Sequence, residues 1–238
     1  MRVPLVIIAF FFSSTVVSLH ALELSDFVAG RGRNWEAIKI LSQGDEELRA
    51  GNLQAARRDF DTAIRTDPTL WVAIFWRARL SAREHKWDLV VRDCNEVLRQ
   101  DSTFVEAAVL RAAADIALGR YAASLRGLND SIRLQPTRLE TYALALNRRA
   151  WLRAACPDPS IRNGRAAIND AEKACHITKW READPIDTLA IAYAESGDFD
   201  SALRYEQQAM SASDANEISR TLQEHILMFK QHRPVRMR

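Results

Sequence analysis

The feature that most limits what this chain can become is a period of 34 residues. Residues 37–70, 71–104 and 105–138 align without a gap, which puts Gly51, His85 and Gly119 in one column and Pro68, Ser102 and Pro136 in another. Leu53, Trp87 and Tyr121 share a column two positions after the first. Two columns of small residues, Gly44, Ala78, Ala112 and Ala63, Val97, Ser131, would let one helix lie close against another, and Phe60, Cys94 and Leu128 supply a larger apolar column. A fixed period of this length signals one supersecondary unit used repeatedly, too small to bury its own apolar stripe until neighbouring copies stack on it.

Each block reads as two helices. In the first, Ala55, Ala56, Phe60, Ala63 and Ile64 recur at spacings of three and four and so share one side of a helix. Asp67-Pro68-Thr69 ends it, because proline has no N–H to donate and disfavours helix in the residue before it. The short polar segments Gly51-Asn52, His85-Lys86 and Gly119-Arg120 separate the two helices of each block. With 47% hydrophobic and 27% charged residues and only 8 glycines and 7 prolines, the composition is globular and favours helix throughout. No run reads as a strand, so the expectation is an all-α chain.

These columns resemble the tetratricopeptide-repeat family, whose period is about 34 with small residues where helices cross. A further copy matches best, with Leu189, Ala190, Tyr193, Gly197, Phe199, Ala202 and Ala209 at the family's signature positions. Val90 and Ser124, in an alanine column, and Arg77 and Arg111, in a usually apolar one, depart from the pattern. The fourth copy carries a long turn: Leu139 to Ala155 predicts one helix and Asn163 to Thr178 the other, with Cys156-Pro157-Asp158-Pro159-Ser160-Ile161-Arg162 inserted. The stretch Ala150 to Asp158, followed by Ala174-Cys175, is similar to a subgroup of bacterial, exported members of the family with an extended repeat of this kind. The resemblance implies a right-handed α-solenoid of stacked helix-turn-helix repeats. Five repeats follow, 37–70, 71–104, 105–138, 139–182 and 183–216, then a capping helix at 217–231 with Ile218, Leu222, Ile226 and Phe229 as its stripe. Residues 232–238 form a basic tail, expected to be disordered.

The start of the chain differs. Met1-Arg2, an uncharged run from Val3 to Leu19 and then His20-Ala21 have the build of an export signal, cleaved after Ala21 or kept as a membrane anchor, with 22–36 as a lead-in. The expected location is periplasmic or extracellular. An oxidising compartment permits one disulfide among Cys94, Cys156 and Cys175, and Cys156 with Cys175 is the candidate pair. Cys175 lies about 12 residues into the second helix, roughly 18 Å along its axis, so the inserted loop would have to fold back to bring the two within reach. Two separately buried thiols are the other reading.

Chemistry is hard to find. No glycine-rich phosphate loop, nucleophile elbow or His-Glu-x-x-His helix is present, and the spacing of Cys156, Cys175 and His176 matches no closed zinc pattern. The formal charge of +2 falls to +1 without Met1–Ala21 and is too low for a dedicated nucleic-acid protein. No catalytic residue, metal, cofactor, nucleic acid or small-molecule substrate is therefore expected. The family resemblance implies binding of a protein or peptide along a concave face formed by the first helix of each repeat. Inward positions are then Phe75, Arg79, Arg83, Val109, Ala113, Asn147 and Trp151, with Leu41, Asp45, Ile191 and Glu195 in the outer repeats. Arginine beside aromatic residues suits a partner with acidic and apolar groups. The lysine–asparagine clamp of some relatives is not reproduced, since Leu41 and Asp45 stand where it would begin. The alternative is a structural part of an envelope assembly with no selective groove ligand.

Overall fold

The computed structural model describes residues 34–134, 138–212 and 216–237, with only the backbone at 216–219. The export segment 1–21, most of the lead-in, Pro136, and the side chain of Ile218 lie outside the described residues. Among the described residues there are eleven helices and no strand: α1 (Trp35–Arg49), α2 (Leu53–Thr66), α3 (Trp71–Arg83), α4 (Trp87–Gln100), α5 (Val105–Ala117), α6 (Tyr121–Arg133), α7 (Leu139–Ala155), α8 (Gly164–Ile177), α9 (Ala183–Glu195), α10 (Phe199–Ser211) and α11 (Asn216–Lys230). The chain is an all-α helical-repeat solenoid, divided into two compact units, described from Asn34 to Gly119 and from Arg120 to Met237. The third repeat contributes α5 to the first unit and α6 to the second.

Recurrent turn chemistry explains the regularity. Gly51, His85, Gly119 and Gly197 all have positive φ, at +84°, +56°, +72° and +86°. At Gly51 the N–H donates to Leu48 O at 3.2 Å and the next N–H, of Asn52, to Glu47 O at 2.9 Å, which closes the last helical carbonyls in a Schellman turn. His85 and Lys86 repeat this against Ala82 and Ser81, as do Gly197 and Asp198 against Ala194 and Tyr193. The column therefore selects left-handed backbone rather than small size, and His85 satisfies it without being glycine. The other turn is an Asp-x-Thr/Ser unit in which Asp67, Asp101 and Asp158 each accept a hydrogen bond from the backbone N–H two residues on, at 2.9, 3.0 and 2.9 Å. The Asp158 copy lies in the insertion of the fourth repeat, so the extra loop is ordered by the device that links ordinary repeats.

In the first unit each of α1 to α4 packs on its successor. The core gathers around Phe60, with Leu41, Leu48, Val72, Trp76 and Leu80. Gly44 on α1 faces Phe60 so closely that an added Cβ would stand 2.6 Å from the ring. Arg77, out of place in an apolar column, is held by carboxylates of both flanking helices: Asp93 at 2.8 and 3.0 Å and Asp61 at 2.9 Å. In the second unit α6 to α11 pack in the same sequential way and α7 also touches α9. Asp170 of α8, itself buried, receives Arg149 through two hydrogen bonds of 2.8 and 2.7 Å and Arg153 at 2.8 Å, which ties α8 to α7.

Candidate functional site

The first helices carry the residues predicted to look inward, and the structure places most of them in contact with their own unit. Phe75 is 1% exposed and sits edge-on to Phe104 at 4.8 Å, so its ring belongs to the packing of α3 and the turn before α5. Arg79 is buried, its guanidinium 4.0 Å over the Trp76 ring. Burial lowers its pKa to about 10 despite the opposing charge of Asp45. Arg83 is half-buried and donates to Leu48 O at 3.1 Å. The expectation of two free arginines for an acidic partner is thus revised: one is stacked and the other closes the end of α1. Val109, Ala113 and Asn147 are buried and Trp151 is half-buried.

One column of these helices stands out. Asp45, Arg79 and Asn147 occupy the same repeat position, all three are buried, and Asp45 Oδ1, Arg79 Nη1 and Asn147 Oδ1 have no hydrogen-bond partner. Asp45 pairs through its other oxygen with Arg49 at 2.8 Å. Leaving such an atom unpaired away from water costs about 1–3 kcal/mol, so these three are not neutral packing, although Ala113 and Ile191 hold the column in the other two repeats.

The tail corrects its expectation. Residues 233–237 are docked rather than disordered: Met237 is buried and its N–H donates to Ala155 O at 2.8 Å, while Arg236 reaches Glu195 at 2.6 Å. Glu195 is shared with Arg162 of the inserted loop at 3.0 Å, and Arg162 also donates to Cys156 O at 2.9 Å and Pro157 O at 3.1 Å. A charge-poor segment would have no such anchor. Here the tail's own arginine finds a partly buried carboxylate. Arg238 lies outside the described residues.

All three cysteines are free and buried, so the bridge between Cys156 and Cys175 is not formed. Cys156 follows α7 directly, whereas Cys175 lies 11 residues into α8, roughly 16 Å along that helix, and the inserted loop closes at the near end. Burial pushes the Cys175 thiol up to about 12 and raises the Cys94 and Cys156 thiols too.

A buried polar cluster in the second unit escaped the sequence reading. Asp187 of α9, Glu206 of α10 and His225 of α11 meet with His225 Nδ1 2.8 Å from Asp187 Oδ1 and 3.2 Å from Glu206 Oε1. Burial and the charge of Asp187 hold the Glu206 carboxyl well above the usual carboxylate range. Burial opposes charge on His225, but the two carboxylates outweigh it and push the imidazole up to about 10. The signal was in the columns. Repeat by repeat, Asp187 stands where Leu41, Phe75, Val109 and Ala143 stand, and Glu206 where Phe60, Cys94, Leu128 and Ala171 stand. Two ionisable residues replace apolar ones at positions that are buried in every repeat.

No family model matches the chain, and no curated protein matches it in sequence. Solved structures do match in fold. A thermophilic TPR protein of Thermus thermophilus superposes with a TM-score of 0.63 at 18% identity, over 80% of this chain and 99% of that one. Cut9, from the APC/C hetero-tetramer Cut9-Hcn1, gives 0.70 at 20% identity over 94% of this chain and 42% of its own. YrrB, described as a TPR protein with an unusual peptide-binding site, gives 0.58 at 13% identity over 79% and 92%. The likeness shows the fold, an all-α helical-repeat solenoid that this chain shares with these TPR proteins.

Proposed function

We propose that the protein is a non-catalytic scaffold that binds a protein or peptide along the inner face of its first helices. The observation that carries this reading is that Asp45 and Arg79 in the first unit, and separately Asn147 in the second, hold buried, unpartnered polar atoms at one repeat position. A peptide main chain offers alternating N–H and C=O groups, the complement those atoms lack. The likeness to YrrB, named for a peptide-binding site, supports it. So does the docked tail, since the second unit already holds one short segment by a main-chain hydrogen bond, an arginine–carboxylate pair and a buried methionine. Because Arg83 donates to Leu48 O and Arg79 is stacked on Trp76 with its Nη1 unpartnered, capture of a main-chain carbonyl fits the site better than a cluster of acidic side chains.

The test separates a binding role from a packing role. Peptides selected from a random display library on the full chain are measured by calorimetry against the parent, Arg79→Met and Asn147→Leu. Removing an orphaned polar group in favour of an apolar one of similar size is neutral or stabilising in the free protein. The expected result is an unchanged or higher melting temperature for Asn147→Leu and, for both variants, at least about tenfold weaker binding, the loss of one hydrogen bond of about 1.4 kcal/mol. Peptides that bind both variants as tightly as the parent would sink the inner-face reading.

Export is part of the same proposal: the uncharged run from Val3 to Leu19 supports a periplasmic or extracellular location. Among the described residues no helix is long and apolar enough to cross a membrane.

A further inference from the structure

We infer that Asp187, Glu206 and His225 form a divalent-metal site, best matched to zinc, that joins the last repeat to the capping helix. This goes beyond peptide binding and does not depend on it. Each of α9, α10 and α11 supplies one ligand atom, and the three atoms lie within 4.8 Å of one another. An ion about 2.0–2.2 Å from each of three tetrahedral ligands needs them roughly 3.3 Å apart. The separations of His225 Nδ1 from the two carboxylates, 2.8 and 3.2 Å, are already near that value.

Charge points the same way. A neutral imidazole and two carboxylates carry a net charge of two negatives, which a divalent ion cancels. Among the described residues neither carboxylate has a lysine or arginine partner. Glu206 has no exposed side-chain surface, and its Oε2 has no hydrogen-bond partner. A buried carboxylate oxygen without a donor is a ligand atom awaiting a cation. The side chain of His225 is 13% exposed, the least covered of the three, so it is the side from which an ion would enter. Finally, apolar residues fill both carboxylate columns in all four preceding repeats, so the repeat itself does not require charge there. The three ligands come together only where the capping helix covers the end of the array.

The full chain is stripped with a chelator and titrated with Zn2+ by calorimetry, with Mg2+ as the hard-cation control. Co2+ is added as a spectroscopic probe of nitrogen and oxygen ligation. The expected result is one Zn2+ per chain, a rise in melting temperature with Zn2+ and not with Mg2+, and a visible Co2+ absorption. Glu206→Gln keeps the side chain's shape and should weaken Zn2+ binding at least about tenfold. His225→Ala should abolish the Co2+ absorption. Cys175→Ser, which leaves the cluster intact, should change neither. If His225→Ala fails to fold, Glu206→Gln and the Co2+ spectrum of the parent carry the test. Absence of one-to-one binding by the parent overturns the assignment, as does equal affinity in Glu206→Gln. A metal-free gain in melting temperature for Glu206→Gln, with no response to Zn2+ in the parent, would make the cluster a proton-held structural network instead.

Discussion

Replacing Gly44 by alanine sets two large effects against each other. In the interior of a helix alanine is favoured over glycine by about 1 kcal/mol, so propensity alone predicts a more stable protein. The structure predicts the opposite sign. A Cβ at Gly44 would stand 2.6 and 2.8 Å from two carbons of the Phe60 ring and 3.1 Å from Asp59 Cβ, whereas ordinary contact begins near 3.4 Å. The ring must yield by several tenths of an ångström, and it has nowhere to go: Phe60 is fully buried among Leu41, Leu48, Trp76 and Leu80. Overpacking of this kind costs about 1–3 kcal/mol, and so deep an overlap belongs at the upper end. The net expectation is a loss of about 1–2 kcal/mol, read as a fall of about 2–8 °C in melting temperature for a chain of this size. The cause is tested by a double-mutant cycle. Phe60→Leu should be destabilising beside Gly44 but nearly neutral beside alanine, with a coupling of about 1–2 kcal/mol. An alanine variant that melts at or above the parent, or strict additivity, would refute the reasoning.

Two further substitutions test the turn and the arginine network. Gly119→Leu should lower stability by about 1–2 kcal/mol, because φ is +72° there and nothing lies within 4 Å of an added Cβ, so backbone strain is the whole effect. Gly119→Asn, which tolerates that backbone, should lose clearly less in the same thermal melts, and equal losses for the two would contradict the strain account. Asp170→Ala leaves Arg149 and Arg153, both largely covered, without their shared carboxylate and should cost about 3–5 kcal/mol in denaturant unfolding. A cost below about 1 kcal/mol would mean that the two arginines simply turn to solvent.

The period of 34 was enough to set the fold, because stacking identical units leaves few ways to bury an apolar stripe that recurs at helical spacing. Helix ends were legible for the same reason: Pro68 and the column of Gly51, His85 and Gly119 act through their own backbone, and local backbone preference is written in single residues. A sequence shows a glycine's volume and does not show φ, so the left-handed backbone shared by Gly51, His85 and Gly119 is visible only in the structure. Whether an arginine is free or spent is equally invisible in one dimension. Arg83 meets Leu48 O, 35 residues away, and Arg236 meets Glu195 across 41 residues, so neither partner lies within any pattern of neighbouring positions.

The polar cluster marks the division most sharply. The sequence by itself determined that positions 187 and 206 are core columns, because four earlier repeats hold apolar residues there. It also contained their charges. Only the tertiary structure decided that both carboxylates face the same point and that His225, from a helix outside the repeat register, closes the site at 2.8 and 3.2 Å. Repeat symmetry predicts what every unit shares, and a terminal repeat packs against a partner that no other unit has. What covers the end of the array is set by the path of the chain after the last repeat, and that path is fixed by long-range packing rather than by any local preference.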